Sequence, residues 1–313
     1  MKHSVIPKPV KNPMFNYVQF LKNLDLLEFL VVIQYCADTL TLEDYRPAIS
    51  YILLDNPLSK PVRTLADGQI DNDLLNIMIK IITDHSTGLY RLLLDAEEII
   101  KDNLIINTHN HRIMKIVNSK GLLSQLTELI MPTRTFSKTK ILLALIPVSR
   151  NLKKIVVRVG YKYQFLNILN RRRYVIKQEV KALADLIKAQ ENLEHLGLLN
   201  CTEELDCLLM SIESQADTLK YLSFEKVHFH GFDMFKHIAT LRNLEQIRFI
   251  YCTFKLKDDY RPYRFENNFP KLVKLEIYES INAGYAVDIL RSAACGSLNV
   301  ESEPRNSIFA LEY

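Results

Sequence analysis

The chain has 313 residues, 48% apolar and 24% charged, and 40 basic side chains against 36 acidic ones leave a net charge of +4. That composition suits a globular protein with one large or two ordinary cores, and so mild a positive charge does not argue for a nucleic-acid partner. No uninterrupted apolar run of eighteen residues occurs and the basic N-terminus lacks a short apolar run with a cleavage site, so neither a membrane span nor a secretory signal is expected.

In chain order, residues 1–22 read as a flexible N-terminus. Residues 23–62 (NLDLLEFLVVIQYCADTLTLEDYRPAISYILLDNPLSKPV) are helical in character, with Leu24, Leu27, Leu30 and Val31, then Tyr45, Ala48, Ile49 and Ile52, on helical spacing. Asn56-Pro57 and Pro61 give the boundary, so this region is set at 23–60. DNDLLNIMIKIITDHS (71–86) reads as a further amphipathic helix, with Leu74, Leu75, Met78 and Ile82 on one side.

From residue 89 a pattern L-x-x-L-x-L recurs. It begins at Leu89, Leu126, Leu152, Leu193, Leu219, Leu244 and Leu272, at spacings of 37, 26, 41, 26, 25 and 28 residues. Four of the six spacings lie in the leucine-rich-repeat range of about 20–29 residues; the two longer ones imply insertions or a degenerate repeat. The last two apolar residues of the pattern are two apart, so on a strand they share a face. One strand cannot bury that row, but stacked neighbours form a parallel sheet with a continuous apolar ridge. Eight residues after the first leucine the strand ends, at Cys201, Val227, Cys252 and Ser280. The five cysteines, Cys36, Cys201, Cys207, Cys252 and Cys295, form no C-x-x-C pair, and free structural thiols in a reducing compartment, cytoplasmic or nuclear, are expected. The returning segments read as helices: VKALADLIKAQENL, EELDCLLMSIESQADTL and GFDMFKHIATLRNL.

The expected fold is therefore α/β, a leucine-rich-repeat solenoid over 61–300. It is a horseshoe with a parallel sheet and with helices on the convex side, preceded by a small helical region and followed by a C-terminal tail at 301–313. Strand alternation sends every second residue to the concave face. That row contains Lys154 and Arg158, His195, Tyr221 and Glu225, Gln246 and Arg248, then Lys274, Glu276 and Tyr278. Both charges mixed with aromatic and aliphatic residues suit a protein partner.

Other chemistry is weaker. His109-Asn-His111 and His228-Phe-His230 are H-x-H pairs without further ligands at usable spacing, and read as surface or loop histidines. Arg171-Arg172-Arg173-Tyr174 lies near Lys153, Lys154, Arg158 and Lys162. It reads as an exposed loop or helix start, with an acidic partner as the alternative. No G-x-S-x-G, H-E-x-x-H or phosphate-binding loop occurs, so no catalytic residue, cofactor or metal is expected.

The repeats NLEHLGLLNC through YLSFEKVHF and LRNLEQIRFIYC resemble those of fungal F-box/leucine-rich-repeat proteins, over roughly residues 60–300. The resemblance implies an F-box of short helices that grips a cullin adaptor, with Leu24, Leu27, Phe29 and Leu30 in its first helix and Tyr45, Ile49 and Ile52 in its last. No Leu-Pro opens this segment and the chain has no Trp, so the F-box is degenerate or missing and the segment is F-box-like or a cap. The function implied is that of a substrate receptor in a ubiquitin ligase. It would hold its protein target on the concave face and would be neither an enzyme nor a membrane protein. The alternative is a free-standing leucine-rich-repeat scaffold.

Overall fold

The computed structural model describes residues 23–25, 88–94, 114, 117, 120–132, 138–159, 169–201, 204–230, 233–255, 269–294 and 298–301. The strands are β1 (Asn23–Asp25), β2 (Arg91–Leu93), β3 (Glu128–Met131), β4 (Lys154–Arg158), β5 (His195–Leu199), β6 (Tyr221–Glu225), β7 (His228–His230), β8 (Gln246–Ile250), β9 (Thr253–Lys255), β10 (Lys274–Tyr278) and β11 (Asn299–Glu301). The helices are α1 (Lys120–Leu123), α2 (Thr139–Leu145), α3 (Leu169–Lys188), α4 (Leu205–Ile212), α5 (Asp233–Ile238) and α6 (Gly284–Ala293).

Among the described residues, nine strands form one sheet in the order β1-β2-β3-β4-β5-β6-β8-β10-β11, so that neighbours in the sheet follow chain order. Every pairing in it is parallel. Parallel neighbours need a crossover between them, and α2 to α5 supply it on one side, α2 packing on α3, α3 on α4 and α4 on α5. The fold is thus mixed α/β with a parallel sheet. The leucines that define the repeat register onto one another: Leu92, Leu129, Ile155, Leu196, Leu222, Ile247 and Leu275 form one buried row. Met131, Val157, Leu198, Phe224, Phe249 and Ile277 form the next. These rows and the inner faces of the helices, among them Leu142, Leu183, Leu208, Phe235 and Leu290, make a single core.

The turn after β5, β6, β8 and β10 explains the recurring ninth position. Asn200, Lys226, Tyr251 and Glu279 follow directly on their strands at φ of 58°, 54°, 53° and 44°, the left-handed region in which Asn is favoured and bulkier residues are uncommon. The amides of Asn200, Lys226 and Tyr251 donate to the carbonyls of Glu225, Ile250 and Tyr278 on the next strand, at 2.6, 2.8 and 2.9 Å. The kink turns the following side chain inward, so Cys201, Val227 and Cys252 are fully buried. The Cys252 thiol donates to the Phe224 carbonyl at 3.3 Å, and Cys252 N donates to Ser280 Oγ at 3.0 Å. Burial pushes the Cys252 thiol up to about 12, where the nucleophilic thiolate is scarce. In the native protein, iodoacetamide is expected to modify the half-buried Cys207 and leave Cys201 and Cys252 untouched until the chain unfolds. Peptide mapping after a timed pulse checks this.

On the helical side, buried amides tie one repeat to the next. Gln190 Nε2 donates to the carbonyls of Leu186 (2.8 Å) and Ser149 (3.0 Å), while its Oε1 accepts from Leu152 N (3.0 Å). Gln215 Nε2 repeats the device one unit on, donating to the carbonyls of Ile187 (3.0 Å) and Gln190 (2.9 Å). Gln215 ends a short 3₁₀ turn, Glu213–Gln215. The helix read from EELDCLLMSIESQADTL accordingly stops at Ile212, where the chain tightens to aim this amide at its carbonyls.

Two other expectations change. Leu24 lies on strand β1, paired with Leu92, and not in the first helix of an F-box-like segment. The reason is a further copy of the strand motif, Leu21-x-x-Leu24-x-Leu26, overlapping the helical spacing. Leu27, Phe29, Leu30, Tyr45, Ile49 and Ile52, the helix at 71–86 and the His109/His111 pair lie outside the described residues. Arg171, Arg172 and Arg173 fall within helix α3, so the helix-start reading applies to them and the loop reading does not.

Candidate interaction surface

The face of the sheet turned away from the core carries the alternate residues of each strand, and the pairing register sets them in three rows. The first is Arg91, Glu128, Lys154, His195, Tyr221, Gln246, Lys274 and Asn299. The second is Leu93, Ile130, Val156, Gly197, Ser223, Arg248, Glu276 and Glu301. The third, at the strand ends, is Arg158, Leu199, Glu225, Ile250 and Tyr278. All ten residues expected on this face therefore lie on it. Arg91, Glu128 and Glu301 add further charges to it; the first two sit at the same offset in LYRLLL and LTELIM.

The rows change character along the sheet. Ile130, Val156 and Leu199 are buried and cluster with Leu93. Gly197 keeps this patch tight, because a Cβ there would stand 3.1 Å from Ser223 Oγ and 3.2 Å from both Val156 methyls. Arg158 is only 1% exposed and its Nε donates to the Pro132 carbonyl at 2.5 Å. From β6 onward the face is polar. Tyr221 is its most open aromatic, 38% exposed, and its ring lies 5.9 Å from that of His195. Ser223, Gln246, Arg248, Ile250 and Lys274 are half-buried.

Glu276 organises the polar end. Its carboxylate accepts from Lys274 Nζ at 2.7 Å and Gln246 Nε2 at 2.9 Å, and forms an ion pair with Arg248, whose Nε lies 2.9 Å away. Lys274 also pairs with Glu301 at 3.2 Å, and its hydrogen bonds to Glu276 and Glu301 hold its pKa above the ordinary lysine value. The Arg248 guanidinium lies over the Tyr278 ring, 5.5 Å from its centre. Glu276 and Tyr278 are each 6% exposed, so they brace the face from beneath, as Arg158 does further along. Glu225 pairs with Lys226 at 3.4 Å at the rim.

His195 lies in the middle of the first row. Burial, then the charges of Lys154 and Arg248, push its pKa down to about 4, so the imidazole is neutral at physiological pH. Above the ordinary value of 6.5 neither the folded nor the unfolded chain is protonated here. Below it the unfolded chain takes up a proton that the folded one refuses, so stability falls progressively down to about pH 4, by at most about 3 kcal/mol from this group. His195→Gln is expected to remove that part of the acid sensitivity. Urea unfolding of both proteins at pH 7 and pH 4.5 measures it as the difference between their pH slopes.

His228 and His230 flank Phe229 on β7, exposed on either side of it, and their register partners on β9 are Thr253 and Lys255. Among the described residues no group of three or more His, Cys, Asp or Glu is placed to hold a metal ion, and no helix is long and apolar enough to cross a membrane. No protein-family model matches the chain, and no curated protein matches it.

Proposed function

We propose that the chain is a non-catalytic leucine-rich-repeat solenoid of the cytoplasm or nucleus that holds a protein partner on the open, polar part of its inner sheet face. The observation that carries this reading is the register of His195, Tyr221 and Gln246 beside Ser223 and Arg248. These side chains come from three successive repeats, form one continuous patch and leave part of their surface to solvent. A patch of an exposed aromatic, an arginine and an amide beside the half-buried Ile250 has the make-up of a protein interface. The core of the sheet does not require polar residues at these positions; alternation leaves them free to be chosen for a partner.

Resemblance to F-box substrate receptors adds the cullin adaptor as a second partner, engaged through residues 24–58. A specific observation favours the alternative, a free-standing scaffold: residues 23–25 join the same sheet as the repeats, as a cap at the open end of an array would. The two are separated by purification of the full chain with the adaptor under mild salt; a stable complex supports the receptor and its absence supports the scaffold. The partner surface is tested with Tyr221→Arg and Ser223→Arg together. Proteins cross-linked to the wild-type chain in its own cells and lost from the folded variant support the reading. An unchanged set of proteins refutes it.

A further inference from the structure

We propose that the corner formed by Lys153, Lys154, His195 and Tyr221 docks an acidic segment of the protein partner, a carboxylate facing the two lysines and an adjacent apolar side chain lying on the Tyr221 ring. The inference rests on the interaction-surface reading above and adds the chemistry of the partner.

Uncommitted charge sets this corner apart. Along this face most cations are already paired: Arg91 with Glu128 at 3.7 Å, Lys220 with Glu194 at 3.0 Å, Lys226 with Glu225 at 3.4 Å, and Arg248 and Lys274 with Glu276. Lys153 and Lys154, at the entry of β4, have no ion-pair partner among the described residues. Lys153 is exposed and Lys154 half-buried. Glu128, the register partner of Lys154, pairs with Arg91, and Glu194, whose amide donates to the Lys153 carbonyl, pairs with Lys220. Lys154 registers on His195 and His195 on Tyr221, so a cation with no ion-pair partner among the described residues, a neutral imidazole and the exposed aromatic ring follow one another across three strands, and the exposed Lys153 stands one residue before Lys154. The direction of the His195 pKa, pressed down in part by Lys154 and Arg248, is what an excess of positive potential there produces. Beyond Tyr221 the face carries Glu225, Glu276 and Glu301. A polyanion running along the row would meet those carboxylates, whereas an acidic stretch of peptide confined to the corner would not.

The experiment uses the full chain and three fluorescently labelled probes: an end-blocked peptide with a Glu-Glu-Phe core, its Lys-Lys-Phe counterpart, and a short single-stranded RNA. Anisotropy is expected to show saturable binding of the Glu-Glu-Phe peptide alone. Lys153→Glu combined with Lys154→Glu is expected to weaken it about tenfold and Tyr221→Ala about fivefold. Lys181→Glu, an exposed site on α3, should leave it unchanged. Histidine side-chain NMR should show the His195 pKa rising when the acidic peptide is bound. The proposal falls if the acidic peptide does not bind, if its affinity ignores the double charge reversal in a protein whose circular dichroism is unaltered, or if the basic peptide or the RNA binds more tightly. If it falls while Tyr221→Arg with Ser223→Arg still releases the cellular partner, only the partner's chemistry was wrong. If that variant also loses nothing, the interaction surface itself is refuted.

Discussion

Phe249→Ala is expected to destabilise the fold by about 3–5 kcal/mol, the range for removing a fully buried phenylalanine. The reason is where Phe249 sits. It stacks on Phe224 of the preceding strand with ring centres 5.6 Å apart, and meets Phe229 at 5.8 Å and Phe254 at 5.2 Å edge-on. Phe229 and Phe254 stack on each other at 5.0 Å. The four rings come from β6, β7, β8 and β9, so one residue joins the main sheet to the two-stranded ribbon of β7 and β9. All four are at most 2% exposed, and the left-handed turns at Lys226 and Tyr251 hold the backbone that frames them, leaving little freedom to collapse into the space. Phe249→Leu should cost less, about 1–2 kcal/mol, because most of the volume remains and only the ring geometry is lost. Urea unfolding of the two variants checks both the size and the order. A Phe249→Ala cost below that of Phe249→Leu would show that the aromatic cluster does not tie sheet and ribbon together.

This cluster also shows where sequence reading works. Seven strands were readable because L-x-x-L-x-L cannot be satisfied by one helix face over repeated units, and their register followed from the leucines alone. Strand β1 was hidden because Leu24, Leu27 and Leu30 also satisfy helical spacing, which outweighed Leu21-x-x-Leu24-x-Leu26. Strand β11 was hidden because Ser297 and Ser302 stand where its flanking leucines would be, leaving Val300 as its one apolar mark. For the candidate surface, alternation assigned each residue to a face, and the pairing register lines the assigned residues up in rows. It did not give depth. Arg158, Glu276 and Tyr278 lie on the expected face yet are covered, because exposure depends on what neighbouring rows and connections lay over them. The uncommitted state of Lys153 and Lys154 was equally illegible. It emerges only once each acidic neighbour is seen to reach for a different cation.

Glu179→Ala should be as damaging as losing Phe249, about 3–5 kcal/mol, the usual range for breaking a buried ion pair from one side. Glu179, in the middle of α3, meets Lys138, the residue before α2, at 3.5 Å with both side chains fully buried. Burial pushes the Lys138 ammonium below the ordinary lysine pKa, Glu179 pulls it back by charge and hydrogen bond, and Arg158 adds to the lowering. Removing Glu179 takes from the buried Lys138 ammonium the carboxylate that it meets, while the lowering by burial and by Arg158 stays. The loss should depend on pH in a definite direction. Without Glu179 the folded-state pKa of Lys138 drops further below its unfolded value, so the folded chain binds fewer protons than the unfolded one over a wider range. Stability of the variant then rises with pH, and the gap to wild type narrows as the solution becomes more alkaline. The double replacement Lys138→Met with Glu179→Leu should recover much of the loss, because two apolar side chains of similar volume need no solvation. Urea titrations of the single and double variants at pH 6 and pH 9 decide the matter. A Glu179→Ala cost under about 1 kcal/mol, or one that grows with pH, would mean that the carboxylate is not what holds the Lys138 charge inside.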